Sequence, residues 1–403
     1  MTSQITVAAK PGSSKATQTV EEQQKARLDE KLRRELGREV LEALASPATE
    51  DVCLNTDGKL WVNEQRKGWR VIGTMQASQA SAAMGTIATI RETAINHDRP
   101  ILETELPIDG SRFQGLIHPV VEAPAFAIRT RPRRVFTIED YIESGILTTK
   151  GDARNRLAER MSFRDSLEGK SHGEILKIAI QERKNVLIVG STGSGKTTLV
   201  NACLDLIRRY CPRDRVISIE DTMELQSPVE NSVDLRAIGQ VTMLDCLRAS
   251  LRLKPKRIIV GEVRGAEALV MLKAWNTGHP GGVATVHAND SMGGLIRLQS
   301  LVAEATQAPQ QDLIGAAIDV VVFIDEDLDH VAGRKVREIM LVNGFLPRNK
   351  TSFFETELSY DVTSYYLYLP MTFIYDDPGI HNKATIDSIF SKYHPSPTFY
   401  QAF

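Results

Sequence analysis

Between Asn185 and Leu204 the chain reads NVLIVGSTGSGKTTLVNACL, and no other stretch constrains the fold as strongly. The apolar run Val186–Val189 suits a buried strand. Next comes Gly190-Ser191-Thr192-Gly193-Ser194-Gly195-Lys196-Thr197, which fits G-x-x-x-x-G-K-[ST] at every fixed position. A helix-forming run starts at Thr198. Strand, glycine loop and helix together let a backbone curl round a phosphate. Glycines remove the Cβ clashes. The exposed N–H groups point at the anion, and the helix N-terminus adds partial positive charge. Gly190 to Thr198 are therefore the candidate nucleotide-binding residues. Lys196 is expected to bridge the β- and γ-phosphates of ATP, and the Thr197 hydroxyl to hold Mg²⁺.

Downstream, apolar strands and helical runs alternate: RVISIED, a helix near Met243–Leu253, RIIVGE, a helix near Ala266–Trp275, GVATVHA, a helix at Met292–Glu304, and DVVVFI. That order implies an α/β domain with a mostly parallel sheet covered on both faces. An open parallel sheet presents ligands at its strand ends, and three strand ends here carry chemistry. Val216–Glu224 ends in the carboxylates Glu220, Asp221 and Glu224. Arg257–Gly265 places Glu262 at the end of an apolar strand, with Gly261 where many such strands carry Asp. Within Thr277–Asn289, His287 ends an apolar strand beside Asn289, with His279 earlier in a glycine loop that we read as structural. Phosphate hydrolysis needs carboxylates near the metal and the attacking water. Glu220, Asp221 and Glu262 are the candidate metal and water ligands, and His287 a candidate hydrogen-bond reporter of nucleotide state.

With 403 residues the chain has room for two globular domains and tails. Residues 1–20, rich in Ser, Thr and Gln, read as a disordered arm. Residues 21–130 read as an α+β domain with a leading helix striped by Leu28, Leu32, Leu36, Val40 and Leu44. Its strands include DVCLN and KLWVNE, joined by a Gly-containing turn, then Ile101–Leu106, Arg112–Ile117 and Ala125–Thr130, with a helix at Ser78–Asn96. Residues 131–149 form a linker and 150–345 the P-loop domain. In 346–403, an aromatic-rich extension holds seven of the nine tyrosines, and we expect it to pack on the core. Cys53, Cys203, Cys211 and Cys246 lack C-x-x-C spacing, so they read as buried thiols of a reducing compartment. Neither a run of 18 apolar residues nor a signal-peptide pattern occurs, which points to a cytoplasmic protein. A net charge of −2 gives no bulk argument for nucleic-acid binding, although Arg129–Arg134 is a local basic stripe.

GSTGSGKTT, IEDTMEL, LRLKPKRIIVGEVRGAEA and NTGHPGGVATVHAND occur in this order. They resemble the Walker A, Asp, Walker B and His boxes of the secretion-ATPase superfamily. AWNTGHPGGVATVHAND, with DGSRF and AFAIR in the N-terminal half, is most similar to the TrbB-type conjugal-transfer ATPases of type IV secretion systems. The resemblance covers roughly residues 50–345. It implies a PAS-like N-terminal domain, a RecA-like ATPase domain and a homo-hexameric ring. It also implies a place peripheral to the inner membrane, held by inner-membrane components of the secretion system. Nucleotide would sit between the domains, with N-terminal arginines on its phosphates. Arg112 in DGSRF and Arg129 in AFAIR match those arginines. Lys196, Glu220, Glu262 and His287 complete the implied catalytic set. One departure is Lys256, where the family has Asp before the Walker B arginine, which puts a local ion pair of Arg257 in question.

The expected function is a Mg-ATPase motor for conjugative pilus assembly or substrate transfer through a type IV secretion channel. Alternatives are a type II secretion or type IV pilus ATPase, against which stands the lack of a tetracysteine module, and a nucleic-acid motor. A fourth is a nucleotide-gated scaffold without turnover.

Overall fold

The structure, a computed structural model, describes residues 20–131, 136–147, 156–342 and 371–374. The expected arm lies outside the described residues apart from Val20, the extension apart from Met371–Ile374, and the linker at 132–135 and 148–149. The described residues fall into two compact units. One lies within Met1–Gly151, Arg215–Met223 and Asn231–Pro255, the other within Asp152–Asp214, Glu224–Glu230 and Lys256–Phe403.

The first unit opens with helix α1 (Val20–Ala45). Helical geometry breaks within it at Gly37 (φ 79°, ψ 168°), and Leu32 and Leu36 before the break and Val40 and Leu44 after it are all buried. The strands are β1 (Thr49–Leu54), β2 (Lys59–Glu64) and β3 (Gly68–Thr74), then, after α2 (Ala77–Ile90), β4 (Ile101–Glu105), β5 (Arg112–Leu116) and β6 (Ala125–Arg129). They form one sheet in the order β3-β2-β1-β6-β5-β4, antiparallel throughout. The α1 stripe packs with Ala83, Met84 and Ile87 of α2 and with Val52, Leu54, Val62, Phe113 and Phe126 of the sheet in one apolar core. Helix α3 (Ile138–Glu143) starts at a capping box made by Thr137 and Asp140.

The second unit begins with α4 (Arg156–Ser166), α5 (His172–Gln181), β7 (Val186–Gly190) and α6 (Lys196–Tyr210). The chain then contributes β8 (Val216–Glu220), β9 (Ser232–Arg236) and α7 (Met243–Arg252) to the first unit. There β8 and β9 pair in parallel. The fully buried Arg215 locks this segment in place. Its Nε donates to the Leu253 carbonyl at 2.8 Å and its Nη1 to Asn55 Oδ1 at 2.6 Å and to Asn231 Oδ1. The remaining elements belong to the second unit: β10 (Arg257–Val260), α8 (Glu267–Asn276), β11 (Val283–His287), α9 (Ser291–Ala303), α10 (Gln311–Ala317), β12 (Val320–Glu326), β13 (Arg334–Val342) and β14 (Met371–Ile374).

Strand order in the second unit is β14-β13-β12-β7-β11-β10. All five residues of β7 are buried, as a central strand flanked on both sides requires. Its neighbours β11 and β12 both run parallel to it. The sheet is mostly parallel, as expected, with an antiparallel edge at β13 and β14 that makes it mixed. Strand β13 follows β12 through residues 327–333, too short a connection for a parallel crossover, so the pairing is antiparallel.

Candidate functional site

Helix α6 starts differently from its neighbours. Helices α5 and α7 each begin with a capping box, Ser171 with Glu174 and Thr242 with Asp245. The residue before α6 is Gly195, at φ 94° and ψ 23°, and it offers no side-chain cap. The first N–H groups of a helix have no partner in a preceding turn. Here no side chain takes that place, so they remain donors for an anion, reinforced by the helix dipole. Gly190, at the start of the loop, is packed too tightly for any other residue. A Cβ there would collide with the Ile324 carbonyl and the Ser194 hydroxyl. Ser194 is fully buried and donates to the Ser191 carbonyl at 2.9 Å, which holds the loop closed on itself.

Lys196 is the first residue of α6, and its side chain turns back into the loop. Its Nζ donates to the Gly190 carbonyl at 3.1 Å and the Ser191 carbonyl at 2.7 Å. It also lies 3.2 Å from Nδ1 of His287. Burial pushes the Lys196 pKa down, with the Glu262 charge opposing. Nε2 of His287 is 3.1 Å from Glu262 Oε1, and Glu262 Oε2 accepts from Arg264 Nη2 at 2.8 Å. An ammonium can only donate, so His287 Nδ1 is the acceptor and Nε2 carries the proton given to Glu262. The result is a chain Lys196–His287–Glu262–Arg264. Burial raises the Glu262 pKa, but Arg264, His287 and Lys196 together outweigh it and hold the carboxyl below its ordinary value. Glu262 is therefore a carboxylate at neutral pH.

Local register explains the convergence. In the parallel pairing of β11 with β7, His287 sits directly beside Gly190. Glu262 comes two residues beyond the end of β10, and the turn that carries it is pinned. Thr285 donates through Oγ1 to the Gly261 carbonyl at 2.6 Å and accepts the Val263 N–H at its own carbonyl at 2.9 Å. Glu267 Oε1 accepts the N–H groups of Arg264 at 2.7 Å and Gly265 at 2.9 Å. Thr197 is half-buried and Thr198 exposed on the first turn of α6, while Thr192 and Gly193 are exposed at the loop tip.

The other candidate residues lie in the first unit. Glu220 is buried at the end of β8, and Asp221, half-buried, accepts the Thr222 N–H at 2.8 Å. Arg112 and Arg129 stand directly opposite each other across β5 and β6, both exposed. Neither side chain has an ion-pair or hydrogen-bond partner among the described residues, although Glu105 of β4 stands opposite Arg112 and Asp51 of β1 opposite Arg129. Like charges facing each other across a ladder are unfavourable. Both line a cavity of about 830 Å³ together with Arg131 and Lys254. Arg131 pairs with Glu105 at 3.3 Å and Lys254 with Asp51 at 3.4 Å. Sequence reasoning missed Lys254, which no motif marks, and Arg264, although it stands two residues after Glu262 in a stretch already singled out.

The question raised by Lys256 has a long-range answer. Arg257 is fully buried, and its Nε donates to Asp214 Oδ2 at 2.7 Å. Asp214 also accepts from Arg183, at 3.1 Å and 2.5 Å. The counter-charge of Arg257 thus comes from the loop after α6, and Lys256 points to solvent. His279 stands before the start of β11, at the opposite end of that strand from His287.

Residues 34–337 match the sequence profile of a family described as Type II/IV secretion system protein. The chain is 40% identical over 319 residues to a probable conjugal transfer protein TrbB of Sinorhizobium fredii, covering 79% of this chain and 91% of that one. It is 30% identical over 302 residues to the protein VirB11 of Agrobacterium fabrum, covering 70% and 86%. The crystal structure of the VirB11 ATPase from the Brucella suis type IV secretion system, in complex with sulphate, superposes with a TM-score of 0.69. It is 26% identical and covers 79% of this chain and 96% of that one.

Proposed function

We infer the action of this protein from one premise: the chain belongs to the Type II/IV secretion system protein family. It is an ATPase of the type IV secretion kind, with conjugal-transfer and VirB11 proteins as relatives. The observation that carries the chemical reading is the Lys196–His287–Glu262 chain at the uncapped start of α6.

In this reading the loop Gly190–Thr198 cradles the phosphates, and Lys196 leaves its carbonyl partners to engage the β- and γ-phosphates. Glu262, ionised at neutral pH, orients or deprotonates the attacking water. His287 sits between the two and couples the position of the ammonium to that of the carboxylate. Mg²⁺ suits a small set of protein oxygens plus phosphate oxygens. The Thr197 hydroxyl fits that requirement, with Glu262 as a carboxylate for its waters, and Glu220 and Asp221 stay proposed ligands on the sequence motif alone. When bound, the ion would neutralise charge on the phosphate oxygens. Arg112 and Arg129, which match the N-terminal arginines of the resemblance, are proposed as further cations for the phosphates. The N-terminal unit corresponds to the PAS-like domain and the second to the RecA-like domain.

We further propose that the protein works as a homo-hexameric ring on the cytoplasmic side of the inner membrane, held by inner-membrane secretion components. No helix among the described residues is long and apolar enough to cross a membrane. A closed ring is the usual way for head-to-tail subunit contacts to terminate. The test is steady-state Mg-ATP hydrolysis by wild type and Lys196→Ala, with particle mass measured with and without nucleotide. Lys196-dependent turnover in a particle of about six chains is expected for a closed ring. Tight ATP binding without turnover, in a monomer or dimer, would overturn the motor reading.

A further inference from the structure

The glycine loop is in contact with a hairpin that no motif connects to it. Strands β12 and β13 are joined by residues 327–333, and the hairpin closes with the Asp327 N–H on the Gly333 carbonyl at 3.0 Å. The base of this hairpin meets the loop at four points. The Ile324 carbonyl lies against Gly190, and Asp325 Oδ1 is 3.5 Å from the Ser191 hydroxyl. Glu326 Oε1 would be 3.0 Å from a Cβ on Gly193. A Cβ on Gly195 would run into the guanidinium of Arg334. Arg334 therefore occupies the space where any other residue at the start of α6 would put its side chain.

Two properties set Arg334 apart. It is exposed, so its charge is available to solvent and ligand. It has no ion pair or hydrogen bond among the described residues, although Glu326 stands directly opposite in the ladder. Its neighbour Arg337, by contrast, is bound to Asp327 at 3.1 Å and to the Glu326 carbonyl at 3.3 Å. An unclamped guanidinium beside the uncapped N–H groups of a helix adds mobile cationic donors to a fixed anion cradle. A guanidinium also forms paired charge-assisted bonds to phosphate oxygens.

We propose that Arg334 is a phosphate-binding residue of this site, supplied in cis by the β12–β13 hairpin, with the polyphosphate chain of a nucleotide as its ligand. The proposal rests on the nucleotide reading of the glycine loop. Glu326 and Asp325 then act as the opposing charges that keep the hairpin from holding anions unless Lys196 and the loop amides also engage them. The hairpin senses occupancy of the loop because its arginine is drawn toward a bound phosphate.

The experiment is calorimetric titration of the full chain with ADP and, separately, with inorganic tripolyphosphate, for wild type, Arg334→Ala, Arg334→Lys and Lys196→Ala. Arg334→Ala is expected to weaken both ligands about tenfold, the size of one lost charge-assisted bond. Arg334→Lys should recover part of that loss, because charge returns without the fork. The apo melting temperature of Arg334→Ala should match wild type, since no partner is left behind. Unchanged affinity for both ligands in Arg334→Ala, beside weakened binding in Lys196→Ala, overturns the role of Arg334 and spares the nucleotide site. A loss for ADP alone overturns the phosphate assignment. Failure of wild type to bind either ligand overturns the nucleotide reading and this proposal with it.

Discussion

Replacing Glu262 by Gln separates chemistry from architecture, because the two roles carry different magnitudes. The carboxylate holds His287, whose side chain is 41% exposed, and Arg264, whose side chain is 60% exposed. Ion pairs this open to water contribute on the order of 0–1 kcal/mol. Gln has nearly the same shape and can still accept one of the two hydrogen bonds. Its effect on folding stability should therefore stay below about 1 kcal/mol. Catalysis is a different matter, since an amide is not a base. Loss of a general base costs about 10²–10⁴ in turnover. That corresponds to roughly 3–5 kcal/mol of transition-state free energy. Mg-ATP hydrolysis, ATP affinity and thermal melting should be measured side by side on wild type and Glu262→Gln. The expected pattern is turnover lowered at least a hundredfold, with affinity and melting temperature near wild type. Turnover within about threefold of wild type, less than 1 kcal/mol in the barrier, would refute the assignment. Equal losses in turnover and stability would make Glu262 a structural tie of the turn that carries it.

Two more perturbations probe the frame and the first unit. Asp214→Asn leaves the fully buried Arg257 without its counter-charge and should cost about 3 kcal/mol at neutral pH, at the low end for a broken buried pair because the Gly281 and Ile180 carbonyls remain as acceptors. Burial raises the Asp214 pKa, but hydrogen bonds from Arg183 and Arg257 outweigh it and set the folded value below the ordinary 3.8. A depressed carboxylate stabilises the fold above its unfolded pKa and loses that contribution as pH falls through the folded one. The urea midpoints of wild type and variant should thus differ by a constant amount above about pH 5 and converge below about pH 4. A constant difference down to acid would contradict this. Arg112→Ala removes a charge that stands opposite Arg129 on one side and Glu105 on the other, so the two effects offset and the melting temperature should stay within about 2 °C of wild type. ATP turnover should fall in the same protein, and a variant both less stable and fully active would overturn the reading of that pair.

Much of the site was legible because its chemistry lies in contiguous stretches. The loop Gly190–Thr197 and the turn after Val260 each carry their functional groups within a few residues of a strand end, where period and composition can be read directly. His287 was legible for the same reason. The β13 edge was not, since pairing direction depends on a turn and not on apolar periodicity.

The sequence by itself determined the strand–loop–helix around Lys196, the α/β alternation, and which carboxylates and histidine stand at strand ends. Those properties follow from nearest neighbours along the chain: steric freedom at glycine, apolar period and unpaired amides at a helix start. Tertiary structure alone decided that His287 hydrogen-bonds Lys196 across 91 positions. It alone gave Arg257 the charge of Asp214, and it set Arg334 against Gly195. Partner choice between distant residues is set by strand register and by the cost of burying a charge unpaired, and neither is local in the chain.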